Sequence, residues 1–254
     1  MRSIRQSFLS RVTPHSHPIP SIAGTVGFVC LCLLTSSCAS PAPHPGATPP
    51  SADIGYQQPD IMQYNINWSA ENTLDLMSPD GTFVRAFRES AVLANYAGGS
   101  DSAYPGFQDA ITATIDRSFY DAEWPYPHVY GNEYNRIFEF TELAADKVQI
   151  IACAVQPHSF PMTPIPKPEV PGNGNVTAYR LIYQRQGTSP PSNQQGNREV
   201  PYASVFGDWK AIEYDSNIDI DTPEAVTPCL TANYKFHYTH SPEPGWPESP
   251  QPLA

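Results

Sequence analysis

Proline decides where this chain is able to be regular. There are 29 prolines among 254 residues, more than twice the typical share of about 5%. They gather at both ends and in a few internal loops. Proline lacks the amide donor and fixes φ, so helix interiors and central strands must lie between the clusters. Residues 38–60 are Pro/Ala/Ser-rich and read as an extended tether without a core. Residues 241–254 (SPEPGWPESPQPLA) read as a tail too proline-rich to fold. A single folded domain is expected over residues 61–240.

Charge narrows the partners. The formal net charge is −11. Arg2, Arg5 and Arg11 precede Asp53, the first carboxylate, so 11 basic and 25 acidic residues follow Cys38. Phosphate binding needs a basic surface, and no basic cluster with interleaved aromatics occurs in the sequence. No nucleic-acid partner is therefore expected. Fourteen tyrosines against four methionines suit a β-rich domain.

The amino terminus has the order of a targeting segment: a basic start, an apolar run, small residues, then a cysteine. Ile22 to Leu34 is uncharged and falls short of the roughly 20 residues a spanning helix needs. It suits the core of a secretory signal. The exit, Leu34-Thr35-Ser36-Ser37-Cys38, resembles the bacterial lipobox, with Thr35 standing where that family has leucine. The resemblance covers the first 38 residues. It implies a signal peptide over residues 1–37, cleavage before Cys38, and a diacylglyceryl thioether on that cysteine. The product would be a lipid-anchored protein on the extracytoplasmic face of the cell membrane. An ordinary signal cut near Ala39, an uncleaved anchor and a buried helix are the alternatives. Cys30 and Cys32 sit inside the apolar stretch without polar ligands, so a zinc site with Cys38 is disfavoured.

With the leader removed, Cys153 and Cys229 are the only thiols besides Cys38. In an oxidising compartment such a pair suggests one disulfide. It would close a loop of about 76 residues, for which the chain-entropy model gives roughly 4.5 kcal/mol. The alternative is a buried free thiol on a strand. A nucleophilic role is disfavoured, because apolar surroundings raise a thiol pKa.

Within 61–240, two helices are expected first. In residues 78–97, Phe83, Phe87, Ala91 and Ala94 share a face, with Val84 beside them. Ser78 or Asp80 caps the start, Pro79 fits the first turn, and Gly98-Gly99 ends it. Arg85, Arg88 and Glu89 are expected to point away from that face. A shorter helix is expected from Pro105, on the stripe Phe107, Ile111, Ile115 and Phe119. The period then becomes two. Strands are expected at 136–143, 148–155, 178–186, 206–214 and 234–238, with Tyr179, Leu181 and Tyr183 on one face. The joins at 157–176 and 187–200 are long enough to be functional or disordered.

Two helices followed by a curved antiparallel sheet make an α+β domain. The strand ending Ala152-Cys153-Ala154-Val155, the Tyr179-x-Leu181-x-Tyr183 strand and the Gly207-Asp208-Trp209-Lys210 turn resemble exported actinobacterial members of the NTF2-like family. This resemblance covers about residues 78–229. It implies a cone-shaped fold, often with a pocket holding an Asp–His pair or a tyrosine cluster, for which Asp109, Asp116, Tyr179 and Tyr183 are the candidates.

Other candidate chemistry is sparse. His44, His128 and His158 are scattered, and His237 and His240 fall on opposite faces of an expected strand. Asp215, Asp219, Asp221 and Glu224 gather in one acidic stretch that lacks the glycine and spaced glutamate of a calcium loop. Asn67-Trp68-Ser69 and Asn175-Val176-Thr177 fit the glycosylation tripeptide. No phosphate loop, dinucleotide fingerprint, nucleophile elbow or zinc-protease motif occurs in the sequence. The expectation is a membrane-anchored envelope lipoprotein acting as a binding or accessory module, with no cofactor or metal. The alternative is a pocket enzyme of hydrolase, cyclase or isomerase type with a carboxylate base.

Overall fold

The computed structural model describes residues 55–70, 73–116, 128–156, 175–216, 218, 229 and 243–250. All belong to one compact unit, Ser51–Ala254. Cys38, His44, His158, His237, His240, Asp219, Asp221, Glu224 and the expected strand 234–238 lie outside the described residues.

The one α-helix among the described residues, α1 (Pro79–Ala97), is signed at both ends. The Ser78 side chain accepts from the Gly81 amide at 3.1 Å, and Pro79 takes the position where a missing amide is harmless. Gly98 closes it at φ 86°, its amide donating to the Ala94 carbonyl.

A five-stranded sheet lies against this helix: β1 (Met62–Ser69), β2 (Val129–Ala144), β3 (Lys147–Gln156), β4 (Asn175–Gln184) and β5 (Lys210–Asp215), in that spatial order. β1 runs parallel to β2, from Met62 opposite Val129 to Ser69 opposite Arg136. A parallel neighbour requires a crossover, and α1 lies within it. The remaining pairs are antiparallel. The fold is therefore α+β, with a mixed sheet and, among the described residues, α1 as the helix against it.

A strand precedes the helix, so the sheet is not wholly antiparallel. The second helix does not form: residues 105–110 are turns, and Ile111 bridges Ala211 of β5. Phe107, Ile111 and Ile115 are nonetheless buried. The amides that a helix would have used internally serve the edge of β5 instead. Ala211 donates to the Ala110 carbonyl at 2.7 Å, and its own carbonyl accepts from Thr112 at 3.0 Å. An edge strand with open main-chain groups is thereby covered.

Alternation along the strands divides the two faces. Tyr64, Ile66 and Trp68 of β1, Ile150, Ala152 and Ala154 of β3, and Tyr179, Leu181 and Tyr183 of β4 join the core that α1 completes. Phe83 of the helix packs within that core against Tyr183 and Trp209, whose rings are tilted to it, and edge-on against Phe206. A second, smaller cluster contains Cys153, Ala178, Ile218 and Cys229, backed by Phe138, Ile151 and Val176. Period two places Cys153 and Ile151 on the face opposite Ala152 and Ala154.

The join 187–200 packs on the helix start. Pro191 accepts from the Thr82 hydroxyl at 2.8 Å, and the Asn193 amide donates to Met77 at 2.7 Å. Nor do residues 243–250 stay outside the fold. Trp246 is fully buried, and it exchanges two main-chain hydrogen bonds with Arg198. Proline limits regular secondary structure, and this segment uses none. It is held as an irregular strap by side chains, by one isolated bridge, and by main-chain hydrogen bonds from Trp68 and Gly196.

Candidate functional site

Arg85, Arg88 and Glu89 do not face solvent. They are 0%, 5% and 3% exposed. Helix α1 has its aromatic stripe against β4 and β5, while the turn beside that stripe is covered by β1, β2 and the strap. Three charged side chains are thus enclosed, and each carries its own partners.

On the sheet side, Arg88 meets Glu133 of β2. Its Nε and Nη2 lie 3.0 and 2.9 Å from the same carboxylate oxygen, Oε1. Nη1 donates to the Tyr214 hydroxyl at 2.6 Å, and the guanidinium sits 4.8 Å from the Tyr179 ring centre. Asn135 donates to Glu133 at 2.9 Å and accepts from the Tyr179 hydroxyl at 3.1 Å. Tyr64 donates to Glu133 Oε2 at 3.4 Å. Burial pulls the Arg88 pKa down, but Glu133, Tyr214 and Tyr179 outweigh it, and the net direction is upward. Burial, then Glu133, raises the Tyr64 hydroxyl.

On the other side, Glu89 accepts three donors. Trp68 Nε1 reaches Oε1 at 2.8 Å, while Trp246 Nε1 at 2.8 Å and the Tyr104 hydroxyl at 2.6 Å share Oε2. Burial raises the Glu89 carboxyl, with Arg85 and the three donors opposing. Arg85, one helical turn before Glu89, places its guanidinium carbon over the Trp246 ring, 4.4 Å from the ring centre. It donates to the carbonyls of Gln194 at 2.7 Å and Gly245 at 2.5 Å. Burial pushes its guanidinium down to about 10, and the neighbouring Glu89 and Tyr104 resist this.

Of the expected pocket residues, Tyr179 joins the Arg88–Glu133 group. Tyr183 donates instead to Asp80 at the helix start, where Arg185 also pairs with Asp80 at 2.9 Å. Asp109 and Asp116 are exposed and join neither tyrosine. The Asp109 carbonyl accepts from Lys210. The pocket constellation of Asp109, Asp116, Tyr179 and Tyr183 is therefore not assembled: two members lie at the surface, and the tyrosines serve different carboxylate groups.

Cys153 and Cys229 are joined, with Cα atoms 5.5 Å apart. Asn67 of the first glycosylation tripeptide is buried on β1, and its side-chain oxygen accepts from the Glu243 amide at 3.0 Å. His128 is exposed and stacks beside Tyr130. Among the described residues, no group of three or more His, Cys, Asp or Glu could hold a metal ion.

No pattern in the sequence singles out Glu133 or Trp246 as partners of these helix charges. One signal was present: Arg85 and Glu89 are four apart on a helix and so neighbours. A second was a lone tryptophan between prolines in an otherwise polar tail. No family model, curated protein or solved structure matches the chain.

Proposed function

We propose that this chain is an extracytoplasmic, lipid-tethered binding or accessory module. Cys38 carries the anchor, and a domain on an NTF2-like cone stands off the membrane on the expected tether of residues 38–60, whose end is taken into the domain where the Tyr56 amide donates to the Tyr202 carbonyl at 2.9 Å. The observation that carries the non-catalytic half is the saturation of Glu89. A general base needs a free oxygen directed at substrate. Both Glu89 oxygens are engaged by donors from Trp68, Tyr104 and Trp246, in an interior filled by aromatic rings. A carboxylate so engaged is a structural element. Bulges in β2 at Ile137/Glu139 and Glu142/Ala144 bend the sheet and support the cone. β1 ahead of the helix is an addition to that pattern.

Two acyl chains on Cys38 would hold the chain on a membrane firmly, where one would not. Intact-mass analysis of the membrane fraction tests this. The expected wild-type product begins at a lipidated Cys38, and Cys38→Ala converts it to an unlipidated chain. A wild-type product of unlipidated mass in the medium, indifferent to the substitution, would overturn the anchor.

A further inference from the structure

The strap at Glu243–Pro247 is bound as a peptide ligand is bound. It contributes no strand to the sheet, and Trp246 is its single deep anchor. Glu243 and Glu248 on either side are exposed. One aromatic anchor within a polar rim is the anatomy of a recognition hot spot. The socket reads every feature of that anchor. Arg85 covers the ring face at 4.4 Å, Tyr104 meets it edge-on at 5.9 Å, and Glu89 takes the indole N–H at 2.8 Å.

The main chain is read as well. Arg198 donates its amide to the Trp246 carbonyl at 3.1 Å and accepts the Trp246 amide at 3.0 Å. The Gly245 carbonyl accepts from Arg85, and the Glu243 carbonyl accepts from the Trp68 amide at 2.8 Å. Main-chain hydrogen bonds combined with a side-chain pocket are a general means of peptide capture. Gly196 leaves room for it: a Cβ there would lie 2.3 Å from the Trp246 carbonyl. Pro244 and Pro247 restrict the segment and so lower the ordering entropy of docking. The Arg85 Nε, buried in the socket wall, has no hydrogen-bond partner, so one donor there is left for an occupant richer in acceptors.

We propose that the Arg85–Glu89–Tyr104–Arg198 socket is a recognition site for a tryptophan-bearing, proline-flanked peptide, occupied in cis by the strap. A segment of the same chemistry takes the site in trans when the strap is displaced. This deepens the binding half of the proposed function and does not depend on the anchor, so it can fail while the Cys38 mass shift succeeds.

The test uses the full chain carrying Trp246→Gly and a labelled peptide, EPGWPES, matching residues 243–249. Saturable binding by anisotropy is expected, weakened about tenfold or more when the peptide's tryptophan is alanine. A folded Trp246→Gly chain that binds neither peptide up to about 1 mM, or both alike, would overturn the proposal. Should that variant not fold, hydrogen exchange of the wild-type chain decides. The Trp246 amide is expected to exchange through local opening, well before the amides of β3 and β4. Exchange of Trp246 only together with those strands would make it an ordinary core residue and end the proposal.

Discussion

Trp68 and Trp246 donate their indole N–H groups to the two oxygens of one carboxylate, Glu89, each at 2.8 Å. One tryptophan is on the edge strand and the other on the strap, so the helix carboxylate joins three separate segments. The Tyr104 hydroxyl adds a fourth. A group that only accepts suits this position, because all three neighbours are donors.

Replacing Glu89 with glutamine keeps the shape and breaks that match. One amide N–H would then oppose at least one indole N–H. Glu89→Gln is expected to destabilise the fold by about 1–3 kcal/mol. Urea unfolding measures this, and an unchanged midpoint would refute the donor accounting.

The Arg88–Glu133 pair supports a double-mutant cycle. Arg88→Met alone leaves a buried carboxylate, and a loss of about 3–5 kcal/mol is expected. Adding Glu133→Leu removes the stranded charge, so the double variant should be more stable than Arg88→Met. Strict additivity of the two losses would show that the pair does not act as a unit.

Buried tyrosines set the alkaline limit. Burial raises the hydroxyl pKa of Tyr64, Tyr104, Tyr179, Tyr183 and Tyr214. In the unfolded chain each ionises near pH 10, as free tyrosine does, at about that value. Above it the folded chain holds more protons than the unfolded one, so stability is complete below about pH 10 and falls as pH rises. Denaturation midpoints followed upward from about pH 9 should show the fall, with Tyr179→Phe reducing the slope by about 1.4 kcal/mol per pH unit. An identical slope in that variant would contradict the assignment.

The disulfide closes a separation of 76 residues. The chain-entropy model expects its removal, as Cys153→Ala with Cys229→Ala, to cost about 4.5 kcal/mol. The effect should fall on the smaller cluster of Ile218, Phe138 and Ile151, leaving the helix contacts in place. Alkylation of the denatured, unreduced chain should modify neither cysteine. Modification of both would remove the bridge from the account.

Gly196 tests the seating of the strap without touching the socket. Its added Cβ would meet the main chain of Trp246 and Pro247. Main chain yields little, so Gly196→Ala is expected to cost about 1–3 kcal/mol. It should also increase acrylamide quenching of Trp246. Quenching equal to wild type would show that the strap accommodates the methyl group.

The glycine stop, the serine cap and the aromatic stripe of α1 were legible because they are local: each depends on residues within a turn or two of one another. The alternation of β4 and the continuous apolar run of β3 were legible for the same reason. β1 carried an equally plain signal, with Met62, Tyr64, Ile66 and Trp68 separated by Gln63, Asn65 and Asn67. It was masked by its position before the helix, where the expected fold had no strand. The stripe from Phe107 to Ile115 correctly named buried residues and misnamed their backbone. Burial follows from side chains, whereas helix formation there competes with the open edge of β5.

By itself, the sequence determined the acidic character beyond Cys38, the helix of Pro79–Ala97 with its caps, and the residues able to fill a core. Those properties follow from composition, short spacing and intrinsic backbone preference. Tertiary structure alone decided that Arg85, Arg88 and Glu89 are enclosed, that Glu133 meets Arg88, and that a proline-rich tail delivers Trp246 to Glu89. A charged residue on a helix is compatible with solvent or with a buried partner. Which applies depends on segments distant in the chain, and no local pattern encodes their arrival.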